Sequence, residues 1–438
     1  MGFKAIRGDI VHAPSKESLE IHPDSYIVSD GKNIVGVFSE IPEAYGGIEI
    51  IDHEGCLVMP GFTDLHTHGP QYANLGLGLD MELLSWLEAR TFPEEIRFSE
   101  IVYADRIYRQ FVRDMVREGT LNAVVFGTVF LESTIRLMEI LESSGIRAYA
   151  GKVNMDRNTV KGMTEDTRKS LADTEELIRR SKGNDRVRPI LTPRFIPTCS
   201  DELLSGLGRL AEKYGIPVQS HLNETLSEIE WVKELYPDSS SYAGIYENFG
   251  LFCKTPTIMA HCIYNSEEEL MMMKSGNFFA AHCPDSNSNL SSGIMPLRKF
   301  LDLGIKVGIG SDISGGDTLS IRQCIVSAIK CSKLRHAESD ESILPVSMTE
   351  AFYIATRGGG EFFGKTGSFE KGFTFDCIVV DDRELHPAEM PGIDERLQKF
   401  VYCGSYRNII ARYVEGNPVD PEMVMEMDLP VKGKLDDK

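Results

Sequence analysis

The chain has 438 residues, 42% hydrophobic and 26% charged, enough to build a large core and too apolar for disorder. Its 46 Lys and Arg stand against 66 Asp and Glu, a formal net charge of −20. That excess of acid argues against a nucleic acid or an anionic membrane surface as partner, and leaves small neutral substrates open.

The first residues, MGFKAIRGDIVHAP, contain no apolar h-region. Ile6 stands where a myristoylation signal needs Ser or Thr. No apolar run approaches the roughly 18 residues of a membrane span. A soluble cytoplasmic protein is expected. Tyr26-Ile27-Val28 and Ile34-Val35-Gly36-Val37 flank Asp30-Gly31, a hairpin signal. At the far end Asp376–Val380 is one short apolar run, and Ile409 to Val414 and Val419 flank Glu415-Gly416-Asn417. Two β-rich ends around a different middle predict one small sandwich composed of both termini, segments 1–57 and 365–438.

The middle, 58–364, repeats a strand followed by a helix. Apolar, β-branched runs lie at Leu57–Met59, Asn122–Thr128, Ala148–Val153, Val187–Leu191, Ile216–Gln219, Thr257–Ala260, Asn277–Ala281 and Lys306–Ile309. Between several of them the period becomes helical. Ile101, Ala104, Tyr108, Phe111 and Met115 step by three and four before Gly119, and Ile135, Met138 and Leu141 do so before Gly145. Eight such units predict an α/β fold, a (β/α)₈ barrel of TIM type, with a doubly wound sheet as the alternative. The nine cysteines are odd in number and form no C-x-x-C pair, so they read as buried apolar residues.

In a barrel, chemistry sits past the C-terminal ends of the strands. The first unit runs through Pro60-Gly61-Phe62 into His66-Thr67-His68, whose imidazoles face the same way. Alone that is a weak signal. Five of the ten histidines, however, fall at strand ends: His66, His68, His221, His261 and His282. Asp312 adds a carboxylate at the same rim. Imidazoles with a carboxylate suit Zn²⁺, with Fe²⁺ as the second choice, and an open position would activate water. Glu224, three residues past His221, can shuttle protons without ligating. Plainer readings remain for each: Glu224 opening the next helix, Asp312 as a helix cap, His261 as a hydrogen-bonded core histidine. For His282 the core reading is preferred.

These motifs resemble the amidohydrolase superfamily, and within it the guanine deaminases. The resemblance covers nearly the whole chain. Its opening is Pro60-Gly61-Phe62 with His66-Thr67-His68, continued by Gly69-Pro70-Gln71-Tyr72, Leu84-Ser85-Trp86-Leu87 and Thr91-Phe92-Pro93-Glu94. Pro193-Arg194-Phe195, Thr198-Cys199-Ser200, Gln219–Glu224, Leu235-Tyr236-Pro237 and Ser241-Tyr242 extend it. His282-Cys283-Pro284, Ser286-Asn287, Ser292-Gly293, and Gly367–Gly372 with Asp376 complete it.

The resemblance implies that His66, His68, His221 and Asp312 hold one zinc ion per subunit. Gln71, Arg194 and Phe195 would line a purine pocket, with His68, His221, Glu224 and Asp312 also touching the base. Glu224, His261 and Asp312 would be catalytic: a metal-activated water attacks C2 of guanine, giving xanthine and ammonia. A homodimer is implied on the same ground. The alternative is a sibling enzyme that deaminates 8-oxoguanine, a pterin or a triazine. Asn223 stands where relatives often carry Ser, and Ser311 where many carry Thr. Binuclear relatives place a bridging Lys at the end of strand four; this chain has Pro193-Arg194-Phe195, and Lys152 after strand three reads as structural.

Overall fold

Strands β1 (Lys4–Ser15), β2 (Ser18–Ser29), β3 (Ile34–Phe38) and β4 (Glu49–Met59) open the chain in a computed structural model that describes residues 2–339 and 342–429. The stretch 430–438 of the expected C-terminal segment lies outside the described residues. β1 and β2 are antiparallel, as are β2 and β3, while β4 runs parallel to β1. The predicted turn forms: Asp30 Oδ1 accepts from the N–H groups of Lys32 (3.0 Å) and Asn33 (2.7 Å), and Gly31 takes a φ of 98°.

One expectation is corrected here. Leu57–Met59 is the end of β4, pairing with Asp9 and Ile10 of β1, and does not begin the βα series. Pro60 has no N–H to extend that ladder. Gly61 lies against Leu121 so closely that a Cβ there would fall 2.3 Å from its side chain. The chain turns at this pair and enters β5 (Phe62–His68), so His66 and His68 lie within a strand and not beyond one.

Nine further strands follow, separated mostly by helices: β6 (Thr120–Phe126), β7 (Arg147–Gly151), β8 (Val153–Asn154), β9 (Val187–Pro189), β10 (Thr192–Pro193), β11 (Val218–Leu222), β12 (Thr257–His261), β13 (Phe278–His282) and β14 (Lys306–Ile309). β5-β6-β7-β9 and β11-β12-β13-β14 are two parallel sheets, and β8 pairs with β10. Pro189 cuts the predicted run Val187–Leu191 short, since it donates no ladder bond. Leu191 still joins the two sheets: its N–H donates to Pro217 O (3.0 Å) and its carbonyl accepts from Gln219 N–H (2.9 Å). At the opposite sides Asp312 N–H donates to His66 O at 2.9 Å. The helix Ile101–Arg117 buries Ala104, Tyr108, Phe111 and Met115, and the helix Leu131–Ser144 buries Ile135, Met138 and Leu141, as the spacing predicts.

β15 (Cys377–Val380), β16 (Ile409–Val414) and β17 (Asn417–Pro418) return to the first sheet, which has seven strands in the order β17-β16-β15-β4-β1-β2-β3. Alternate residues face opposite ways. Ile6, Ile10, Val58, Cys377 and Val379 share one apolar cluster with Phe369, Phe373 and Phe375. Leu57, Met59, Ile378 and Val380 pack instead into the main core with Phe111 and Met115. The nine cysteines are unpaired, and all but Cys253 and Cys403 are buried. No described helix is long and apolar enough to cross a membrane.

Candidate active site

His66 and His68 stand two residues apart on β5, His221 on β11, and Asp312 just after β14. Their ligand atoms converge. Nε2 of His68 is 3.2 Å from Nε2 of His66 and 3.3 Å from Nε2 of His221. Asp312 Oδ1 is 3.3 Å from His66 Nε2 and 3.4 Å from His68 Nε2. Nδ1–H of His221 donates to the carbonyl of Arg194 at 2.6 Å, so its Nε2 presents a lone pair to the cluster. Lone pairs and a carboxylate meeting in a buried space call for a cation. Three imidazoles and one carboxylate at these separations fit a single divalent ion.

Electrostatics point the same way. Burial, reinforced by the neighbouring His66, holds His68 and His221 well below the usual histidine range, so both are neutral donors. Burial alone would raise Asp312, but the imidazoles of His66, His261 and His68 outweigh it and keep the carboxyl well below its ordinary value. Asp64 braces the rim: it accepts from Ser311 N–H (3.0 Å), Ser311 Oγ (2.5 Å) and His66 N–H (3.1 Å). Burial pushes its own carboxyl up to about 6 against those bonds.

The backbone at these strand ends is strained. Asn223, His261 and Asp312 take φ values of 52°, 71° and 43°, a left-handed region that costs non-glycine residues on the order of 1–3 kcal/mol each. Asn223 is anchored there by Nδ2, which donates to Asn265 Oδ1 (2.9 Å) and Glu269 Oε2 (3.1 Å). The next helix, Leu226–Leu235, is capped by Thr225 and Glu228, and Glu228 Oε2 also accepts Glu224 N–H at 2.9 Å. Glu224 is therefore not the cap, and its side chain turns into the cavity. There Oε1 accepts from Ser292 Oγ (3.2 Å) and Oε2 lies 3.4 Å from His261 Nε2. Burial, and next the charge of Asp312, push Glu224 up to about 8. Asp312 caps no helix either, because the following one begins only at Ile321.

His261 belongs to the site. Its Nδ1 bonds Asn287 Oδ1 at 2.8 Å, and its Nε2 faces both Glu224 and Asp312 Oδ2, the latter at 3.9 Å. The cavity above the cluster is lined by His68, Gln71, Arg194, Phe195, His221, Glu224, His261 and Asp312, closed by Leu83, Trp86, Leu87 and Leu290. Every residue assigned to the site from the sequence is thus brought together, His66 lying beneath.

Sequence reasoning missed Glu95. It is fully buried and accepts from both Gln71 Nε2 (3.0 Å) and Arg194 Nη1 (3.0 and 2.8 Å). The motif signal stopped at Glu94, which instead meets Tyr103 and Arg97. Asn287 and Ser292 stood within quoted motifs without a role. His282 is buried as expected, but neither ring nitrogen meets a hydrogen-bond partner among the described residues, so the hydrogen-bonded part of that reading fails. Lys152 is buried against Glu165, with Nζ to Oε1 at 2.5 Å.

The model of the amidohydrolase family matches residues 57–419. A guanine deaminase of Dictyostelium discoideum is 38% identical over 95% of this chain and 98% of its own length. That of Escherichia coli K12 is 35% identical over 87% of this chain and 86% of its own length. Among solved structures, the guanine deaminase of C. acetobutylicum with bound guanine in the active site is 47% identical, with a TM-score of 0.94 over 95% of this chain and all of that one. With a cluster of three imidazoles and a carboxylate and the cavity above it already in place, these likenesses assign the chain to the amidohydrolase family and, within it, to the guanine deaminases.

Proposed function

We propose that this protein hydrolyses guanine to xanthine and ammonia. One observation carries the reading: the Nε2 atoms of His66, His68 and His221 converge with Asp312 at the base of a cavity whose wall holds Glu224, Gln71, Arg194 and Phe195. The family supports it, since the relatives above are guanine deaminases and one of them holds guanine in its active site. The proposal includes one Zn²⁺ per chain at His66, His68, His221 and Asp312, with Fe²⁺ meeting the same donor set. A divalent cation there supplies the Lewis acidity that makes water a nucleophile near neutral pH.

The chain's own groups then divide the proton work. Glu224, raised to about 8, carries a proton at neutral pH and gives it to the ring nitrogen beside C2 as water adds. His261 Nε2 and Asp312 orient that water and take its proton. Glu224, now a carboxylate, collects this proton and delivers it to the C2 amine, which leaves as ammonia because NH₂⁻ is too basic to depart, while the C2 hydroxyl gives up its proton to form the carbonyl of xanthine and restores protonated Glu224. Phe195, edge-on to Trp231 with ring centres 5.9 Å apart, offers a fixed apolar wall for the base.

The proposed architecture is a closed (β/α)₈ barrel, expected over 58–364 and beginning at β5 (Phe62–His68), supported by the Leu191 and Asp312 backbone bonds that link the parallel sheets. A sandwich of segments 1–57 and 365–438 is supported by the separate apolar cluster on the outer face of the seven-stranded sheet. A homodimer is proposed on the family resemblance. The sibling activities on 8-oxoguanine, a pterin or a triazine require a different cavity wall. Ammonia release from guanine, 8-oxoguanine, adenine, cytosine and a pterin, with metal content measured alongside, tests the choice. Turnover of guanine above the others is expected. Metal-replete protein inactive on guanine overturns it.

A further inference from the structure

We propose that Glu95 is a positioning residue that decides which edge of a base the cavity accepts, by turning the Gln71 amide and spending one nitrogen of Arg194. The inference rests on the reading of this site as a guanine deaminase and adds a selectivity device to it.

The carboxylate of Glu95, paired with the Arg194 guanidinium, only accepts hydrogen bonds, so the Gln71 atom 3.0 Å from it must be the amide nitrogen. This removes the usual ambiguity of an amide flip. Gln71 Oε1 is left without a protein partner among the described residues, in a side chain that lines the cavity. Arg194 gives only Nη1 to Glu95, at 3.0 and 2.8 Å, and its guanidinium lies 5.1 Å from the centre of the Phe92 ring. Nε and Nη2 remain for a ligand. Arg194 is 3% exposed and Glu95 fully buried, so the pair also keeps an uncompensated charge out of the cavity.

The result is a fixed pattern on the cavity wall: donors from Arg194 beside an acceptor from Gln71. It complements a base edge that places an acceptor next to an N–H, as the lactam of guanine does with its carbonyl and N1–H. It opposes an edge that places an amino group beside an unprotonated ring nitrogen, as in 2,6-diaminopurine, although that base carries the same reactive amine at C2. A free glutamine could turn over and serve either edge. With its nitrogen held by Glu95, it serves one.

The test compares kcat/KM for guanine and for 2,6-diaminopurine in the metal-replete wild type, Glu95→Gln, and the swapped pair Glu95→Gln/Gln71→Glu. Glu95→Gln frees the amide to turn, and kcat/KM for guanine should fall on the order of 10- to 100-fold, chiefly through KM. Its preference for guanine over 2,6-diaminopurine should fall about 10-fold or more at unchanged metal content, while the Tm falls because Arg194 loses its buried charge partner. The swapped pair keeps the charge and again points a lone acceptor at the base, so the preference should return toward that of the wild type. Equal losses on both substrates in Glu95→Gln, or a swapped pair that folds without regaining preference, overturn the proposal. A metal-replete wild type inactive on guanine would instead overturn the functional reading beneath it.

Discussion

His261 Nδ1 bonds Asn287 Oδ1 at 2.8 Å, and this one bond aims the opposite ring nitrogen at Glu224 Oε2, 3.4 Å away. The amide oxygen holds the proton on Nδ1 and leaves Nε2 a lone pair facing the reacting groups. Asn287→Leu keeps a side chain of similar volume but releases the imidazole. Activity on guanine should fall roughly 10–100-fold while the metal content stays at the wild-type value. Steady-state kinetics with metal analysis on the same sample checks it. Loss of metal in parallel would mean that His261 acts as a ligand.

Glu224 sits beside the cluster without completing it. Glu224→Gln preserves the Ser292 contact and removes the transferable proton. The variant should retain its metal and lose about 10²–10⁴-fold in kcat. A variant that loses the ion would place Glu224 among the ligands.

Lys152 follows strand β7, where a lysine invites comparison with the bridging groups of two-metal sites. Its ammonium is fully buried and its salt bridge to Glu165 is closed at 2.5 Å, with Val153 O accepting at 3.1 Å. Lys152→Met leaves a buried carboxylate without its partner, which should cost roughly 3–5 kcal/mol of stability. One metal per chain should remain. Denaturant unfolding and metal analysis separate these outcomes, and a drop in metal stoichiometry would contradict the structural role.

His12 lies in the terminal sheet, buried on β1 beside Ser368 Oγ (3.1 Å) and Phe369 N–H (3.4 Å), with Glu20 Oε2 3.3 Å from Nε2. Burial, helped by the nearby His22, lowers its pKa from 6.5 to about 4. The folded state therefore binds this proton more weakly than the unfolded chain does. The stability linked to neutral His12 is present above pH 6.5 and is lost as pH falls from 6.5 toward 4, by up to about 1.4 kcal/mol per pH unit. His12→Gln should lose less stability than the wild type over that interval. Unfolding free energies at pH 7, 6, 5 and 4 test the sign; parallel curves would contradict it.

How much was legible in the chain follows from which interactions are local. His66 and His68 could be placed because strand geometry puts residues two apart on one face. His221, His261 and Asp312 could be placed because each ends an apolar run, and the series of runs orders those ends at one rim. Met59 and Phe62 were harder: both are apolar and β-prone, and the missing N–H of Pro60 with the contact of Gly61 with Leu121 separates a strand of the terminal sheet from the first parallel strand. Glu94 and Glu95 are adjacent acids on one short helix, Phe92–Arg97. Which of them faces the cavity depends on how that helix is seated against Gln71 and Arg194, a tertiary relation that no local pattern encodes. Asn287 was hidden for the same reason, since its partner His261 is 26 residues away.

The most direct test of the account is a titration of metal-free protein with Zn²⁺ while xanthine formation from guanine is followed. The rate should rise linearly with added ion and stop at one equivalent per chain, with His66→Ala showing neither binding nor turnover. Activity that needs a second equivalent, or no xanthine at any loading, would contradict it.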